Sequence, residues 1–171
     1  DDTVWAVVCD GMGGAAAGQL ASQVATDALE DCFTAALPKL AQGQERLFLL
    51  KCLQKANKAV YEESLKDPAN KGMGTTAVCA LVRDGTAHIA HVGDSRAYLY
   101  RPGQFARLTK DHSMVQQMVE SGQLTSQQAE RHPRKNLITK ALGVEPEVEG
   151  DYTFAAVQQG DILLLCSDGL S

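Results

Sequence analysis

Apolar and polar positions alternate along this chain in two different periods, and the change of period divides it. Thr3 to Cys9 is apolar nearly throughout and rich in valine, which predicts a strand buried on both faces. After a cluster of glycines, Leu20, Ala21, Val24, Ala25, Ala28, Leu29, Cys32 and Phe33 recur at helical spacing, with Gln23, Asp27, Glu30 and Asp31 opposite them. That amphipathic helix is stopped near Pro38. A second is predicted from about Gln44 to Leu65, with Leu49, Leu50, Leu53, Ala56, Val60 and Tyr61 on one face, and Asp67-Pro68 ends it.

The middle of the chain reads at a strand period. Thr76 to Val82, Ala87 to Val92 and Ala97 to Tyr100 are joined by Asp84-Gly85 and by Gly93-Asp94-Ser95, and Pro102-Gly103 leads into Phe105 to Leu108. This predicts one antiparallel meander. From Asp111 to Gly143 the pattern is polar and helical in short pieces, as expected of a surface subdomain. Val148 to Val157 and Ile162 to Cys166 are the last two strands, linked through Gly160-Asp161. No solenoid-period repeat or low-complexity tract interrupts the order, so an α+β class is expected, with helices flanking antiparallel strands in a single domain, 1–171.

Composition narrows the functions open to such a domain. With 171 residues and 44% hydrophobic content, the chain is long enough to bury a core without a metal or disulfide staple. The net charge of -5 argues against nucleic acid or an anionic membrane as partner. No apolar run approaches the roughly 20 residues of a membrane span. Cys9, Cys32, Cys52, Cys79 and Cys166 are odd in number and lack C-x-x-C spacing, so they are read as reduced, mostly buried thiols of a cytoplasmic protein.

Candidate chemistry lies in the acids at strand ends. Asp-Gly alone is a turn signature, and Asp84-Gly85 is read as a hairpin. Asp10-Gly11 and Asp168-Gly169 differ because each follows a strongly apolar strand, VWAVVC and ILLLCS, which delivers a carboxylate to the edge of the core. Two such carboxylates suit hard cations, Mg2+ or Mn2+, and glycine lets a backbone carbonyl approach the same ion. His88 and His91 lie on opposite faces of their strand and are read as structural or surface residues. GMGGAAAG also resembles a dinucleotide-binding turn. Asp10 would repel pyrophosphate there, however, and a second helix follows where a parallel strand is required.

Taken in order, Asp10-Gly11-Met12-Gly13-Gly14, Gly72-Met73-Gly74-Thr75-Thr76, His91-Val92-Gly93-Asp94-Ser95-Arg96 and Ser167-Asp168-Gly169 resemble the metal-dependent PP2C (PPM) serine/threonine phosphatases, in their bacterial branch. The likeness extends through Asp111-His112-Ser113 and through the stretch from His132 to Gly143. It implies a four-layer αββα sandwich of two antiparallel sheets flanked by helices, incomplete at both termini. It also implies hydrolysis of phosphoserine and phosphothreonine in proteins by a metal-activated water, without a covalent intermediate.

By the same resemblance, Asp10 bridges two Mn2+ or Mg2+ ions, the Gly11 carbonyl binds one and Asp168 the other. Asp94 joins Asp168 at a weaker third ion, with a turn cap as the less favoured alternative. Gly72, Gly74, Thr75 and Thr76 are read as packing near the site. Residues 111–143 correspond to a mobile flap, whose Arg131, Arg134 and Lys135 are read either as contacts to the phosphopeptide or, equally, as a solvated basic face. Met12 stands where many eukaryotic members carry a histidine. A phosphate-binding arginine upstream and an Asp-Asn motif downstream are implied outside these residues, so the chain is expected to be an internal piece, weak or inactive by itself. Phosphorylated substrates of a serine/threonine kinase and a monomeric state complete the expectation. A non-catalytic binding module on the same fold is the alternative.

Overall fold

The computed structural model describes residues 3–170. Its elements, in chain order, are β1 (Val4–Val8), β2 (Gly11–Met12), α1 (Ala15–Ala36), α2 (Glu45–Ser64), β3 (Gly74–Thr75), β4 (Ala77–Arg83), β5 (Thr86–Val92), β6 (Arg96–Arg101), β7 (Gln104–Arg107), α3 (Met114–Glu120), α4 (Ser126–Glu130), β8 (Asp151–Ala156) and β9 (Ile162–Cys166). Short 3-10 turns at Leu37–Lys39 and Pro68–Asn70 finish the two long helices, where Pro38 and Pro68 forbid continuation.

A four-stranded sheet in the order β1-β4-β5-β8 and a three-stranded sheet in the order β7-β6-β9 are antiparallel throughout. The alternation along β4 explains how they stack. Ala77, Cys79 and Leu81 point to α1 and α2, where Leu29, Phe33, Leu49, Leu53 and Val60 complete the larger core. Val78 and Ala80 point the other way and meet Ile89, Ala97, Leu163 and Leu165 between the sheets. Trp5 stacks on Phe33 at 4.6 Å and Phe33 meets Phe48 edge-on at 5.2 Å, locking β1, α1 and α2 together. Each such large side chain contributes about 2–3 kcal/mol by leaving water. Helix layer, sheet and sheet are thus three of the four expected layers. On the far side of the second sheet, Tyr100, Phe105, Ile162 and Leu164 are exposed.

Two expectations need correcting. Among the described residues β1 is an edge strand paired only with β4, and Val4 is 62% exposed, so the strand is half-buried and not enclosed on both faces. Its unbroken apolar run reflects one face on the helices and the other at the rim of the inter-sheet core. The anticipated meander is also broken. β4 and β5 form a hairpin through Asp84-Gly85, both at positive φ, but at Gly93 the chain leaves the first sheet and β6 pairs in the second. Gly93 has φ +104°, and a Cβ there would lie 2.7 Å from Thr76 Cγ2, so only glycine makes this crossing.

No helix among the described residues is long and apolar enough to cross a membrane. All five cysteines are free thiols, four of them buried and Cys9 half-buried.

Candidate active site: an acidic cleft at the strand ends

Asp10 lies two residues past the end of β1, the crossover from β5 to β6 carries Asp94, and Asp168 lies two residues past the end of β9. All three strands run toward the same rim of the sandwich. Asp94 and Asp168 line a cleft of about 610 Å³ with Arg96, Arg107, Asp111 and residues of the 113–136 segment. Asp168 stands close enough to Asp10 to add to the rise that burial gives its carboxyl. The three sequence-identified acids therefore converge although 158 positions separate the first from the last.

The backbone around Asp10 is pinned more firmly than its carboxylate. Its N–H donates to Thr76 Oγ1 at 3.1 Å, and its carbonyl accepts from the Thr76 N–H at 2.9 Å. Thr76 Oγ1 in turn shares a 2.6 Å hydrogen bond with Ser95 Oγ. A single buried threonine thus ties the Asp10 strand end to the Asp94 crossover, a positioning role beyond the packing read from sequence. Gly74 does pack as expected, since a Cβ there would meet Val144 Cγ2 at 2.8 Å. Gly11 is tighter still. A Cβ on it would fall 1.8 Å from the Gly18 carbonyl oxygen, so the first turns of α1 lie directly on the Asp10-Gly11 backbone.

The electrostatics of these acids is uncompensated. Burial raises the Asp94 carboxyl to about 6, and Asp168, Asp111 and Asp10 push it the same way. Burial also raises Asp10, followed by its hydrogen bond and repulsion with Asp168. The arginine that opens β6 is committed elsewhere: Arg96 grips Asp111 with Nε at 2.9 Å from Oδ1 and Nη2 at 2.7 Å from Oδ2. An oxygen-only donor set that repels itself fits a hard divalent cation.

Of the three basic residues expected to face substrate, the structure brings Lys135 to the cleft, beside Asn136. Arg131 and Arg134 are exposed and do not line it. Arg96, Arg107 and Asp111 line it and were not among the expected site residues; Arg96 and Asp111 lie inside the motif stretches that carried the resemblance.

A second cluster was not legible. His91, His112 and Asp151 place donor atoms within 4.8 Å of one another, a tighter grouping than the acids of the cleft. The two imidazoles stack at 4.7 Å and 13°, and both are buried. His91 Nε2–H donates to the Lys110 carbonyl at 2.8 Å. Burial lowers the His91 pKa, against that hydrogen bond. Hydrogen bonding therefore decides whether this trio suits a metal. The Gly93 N–H donates to His112 Nδ1 at 3.0 Å, so that nitrogen is bare and the ring proton sits on Nε2, which lies 3.1 Å from Asp151 Oδ2. A cation on Nε2 would need the proton on Nδ1, opposed to the Gly93 N–H. Only His91 Nδ1 and Asp151 remain as donors, too few for a closed site. His88, on the opposite face of β5, bonds Tyr152 Oη at 2.7 Å and is structural, as expected.

Fold and cleft together define an α+β sandwich with a cation-ready acidic rim. The chain belongs to the protein phosphatase 2C family, whose model, described as "Protein phosphatase 2C", matches residues 1–171. It is 41% identical over 165 residues to the serine/threonine phosphatase stp of Listeria monocytogenes, covering 96% of this chain and 66% of the relative. It is 37% identical, with the same coverage, to the protein phosphatase PhpP of Streptococcus pneumoniae. Among solved structures, the serine/threonine phosphatase Stp1 from Staphylococcus aureus superposes with a TM-score of 0.90 at 41% identity, over 97% of this chain and 65% of that one. The catalytic domain of PstP in complex with two manganese ions superposes with a TM-score of 0.83 at 36% identity, over 98% of this chain and 68% of that one. The chain thus spans just under two thirds of the length of the curated relatives it matches.

Proposed function

We propose that the protein containing this chain hydrolyses phosphoserine and phosphothreonine in proteins, using Mn2+ or Mg2+ held at the acidic cleft. The observation that carries the reading is the convergence of Asp10, Asp94 and Asp168 with no cation to neutralise them among the described residues. Asp10, the Gly11 carbonyl and Asp168 would hold these ions, and Asp94 would join Asp168 in holding a weaker one. Bound there, such ions lower the pKa of a coordinated water and polarise the phosphoryl group. The chain's own residues supply the frame. Thr76 fixes the Asp10 backbone, Arg96 keeps Asp111 neutralised, and Lys135 offers a cation to substrate phosphate at the cleft wall. Residues 111–143 form the flap over this cleft.

The names of the relatives and the two manganese ions of the PstP structure support the reading. Buried free thiols suit a reducing cytoplasm, and the substrates are those of a serine/threonine kinase, placing the protein in signal transduction.

The test compares the full-length parent, wild type, Asp10→Asn and Asp168→Asn, on a phosphothreonine peptide with Mn2+ or with EDTA. Turnover that depends on Mn2+ and falls on the order of a thousandfold in both variants is expected, the equivalent of about 4 kcal/mol in the barrier. Turnover indifferent to EDTA, or retained in Asp10→Asn, would sink the mechanism. Absence of turnover in a folded wild type would favour the binding-module alternative.

A further inference from the structure

We propose that His112 is a positioning residue for the Asp94 carboxylate, acting through the Gly93 peptide. The inference rests on the reading of Asp94 as an ion ligand given above. The β4–β5 ladder ends at Ala77↔Val92, so the next amide, that of Gly93, has no strand partner. It lies in a left-handed conformation and needs a side-chain acceptor if the crossover is to be fixed. His112 Nδ1 supplies that acceptor at 3.0 Å, and the His112 N–H returns the bond to the Gly93 carbonyl at 3.0 Å. This reciprocal pair clamps residues 19 apart, one immediately before Asp94 and the other at the root of the 111–143 segment.

The imidazole is itself held on its other sides. His91 stacks on one face, Asp151 lies 3.1 Å from Nε2, and the His112 carbonyl accepts from the Thr139 N–H at 2.8 Å. His91 and Asp151 are opposite each other in the β5–β8 register, so the sheet fixes the distance between the two groups that flank the ring. Its acceptor nitrogen is therefore presented in one orientation. The Gly93 peptide before Asp94 is thus held by His112, and the Ser95 side chain after it by the Thr76 hydroxyl. Without the His112 bond, the Gly93 peptide is free to rotate, and the carboxylate loses its fixed aim.

The experiment uses the full-length parent and measures free Mn2+ by electron paramagnetic resonance across a titration, with thermal unfolding in parallel. His112→Ala is expected to weaken the lowest-affinity Mn2+ position about tenfold, as loss of a ligand-orienting hydrogen bond does, and to spare the tighter positions. His112→Asn, whose Oδ1 reaches the Gly93 N–H, is expected to restore most of that affinity, whereas His112→Leu, which fills space without accepting, is not. A purely structural role would lower the melting temperature in all three without separating them by Mn2+ affinity. Unchanged weak Mn2+ binding in His112→Ala, with binding lost in Asp94→Asn, would overturn the inference alone. Unchanged binding in Asp94→Asn would overturn the reading of Asp94, and the inference with it. A measurement that needs no variant is the exchange rate of the Gly93 amide in the wild-type protein. Slow exchange is expected, and exchange as fast as in an open turn would overturn the clamp.

Discussion

The β6–β9 ladder carries aspartates at both of its ends, and the two ends treat them in opposite ways. At one, Asp161 sits under a two-point grip from Arg101, with Nε at 2.8 Å from Oδ1 and Nη2 at 2.6 Å from Oδ2, and accepts the Gln158 N–H at 2.9 Å. The arginine draws its carboxyl down to about 2. At the other end, burial first and then the neighbouring Asp168, Asp111 and Asp10 raise the Asp94 carboxyl to about 6, with no ion pair to it among the described residues. Arg96 starts the same strand that Arg101 ends, yet its guanidinium turns to Asp111 and leaves the three acids unpaired. The neutralised end is architecture. The other is frustrated until something positive arrives, which is the physical mark of a cation site.

Removing the arginine at the cleft end tests the contrast hardest. Arg96→Ala leaves Asp111, whose side chain is only 11% exposed, with just the longer 3.9 Å contact from Arg107 among the described residues. A loss of about 2 kcal/mol in metal-free stability is expected, read from chemical denaturation, because a partly buried charge loses its partner. No measurable loss would mean that Arg96 does not serve Asp111, and the distinction between the two ends would fall.

A smaller effect with a defined sign comes from Asp94. Its folded pKa is raised, so the folded state holds the proton more tightly than the unfolded chain. Stability from this group is full at pH values below the ordinary carboxylate range and is lost as pH rises through about 6. Metal-free Asp94→Asn is therefore expected to melt above wild type at pH 7.5, by on the order of 1 kcal/mol after allowing for solvent screening of a half-buried group. It should show no advantage near pH 4, and Mn2+ should reverse the order at pH 7.5. An advantage at pH 4 would contradict the sign.

The smallest effect belongs to Asp161. Its folded pKa is depressed, so its contribution is present above the ordinary carboxylate range and disappears as pH falls through about 2. Asp161→Asn should lower the melting temperature slightly at neutral pH, lose no further stability from this group on acidification, and so flatten the acid limb of the stability profile. A flattening near pH 6 would assign that limb to the wrong end of the ladder.

What could be read from sequence follows the range of the interactions. Asp10 and Asp168 were legible because a strand and the acid that ends it are neighbours in the chain. The long helices were legible because their periodicity is local, and Pro38 and Pro68 mark their ends. The transfer from one sheet to the other at Gly93 was not, since a turn glycine looks the same whether the next strand returns to its neighbour or crosses over. The edge position of β1 was equally hidden, because an apolar run does not say how many partners it has. The His91–His112–Asp151 cluster depends on strand register across 60 positions, which no local spacing carries. Arg96 was visible as a charge, but only the fold shows that it serves Asp111 and leaves the cleft acidic.

The Thr76 hydroxyl, described above as a tie between two strand ends, has a consequence for how amide protons leave this protein. Asp10 stands outside any strand, and residues in such positions ordinarily exchange with solvent as fast as the surface does. Here the Asp10 and Thr76 amides are each bonded to the other residue. Deuterium can enter at either only when β1 and β4 part together, so the loop that carries the first acid should exchange on the clock of the sheet.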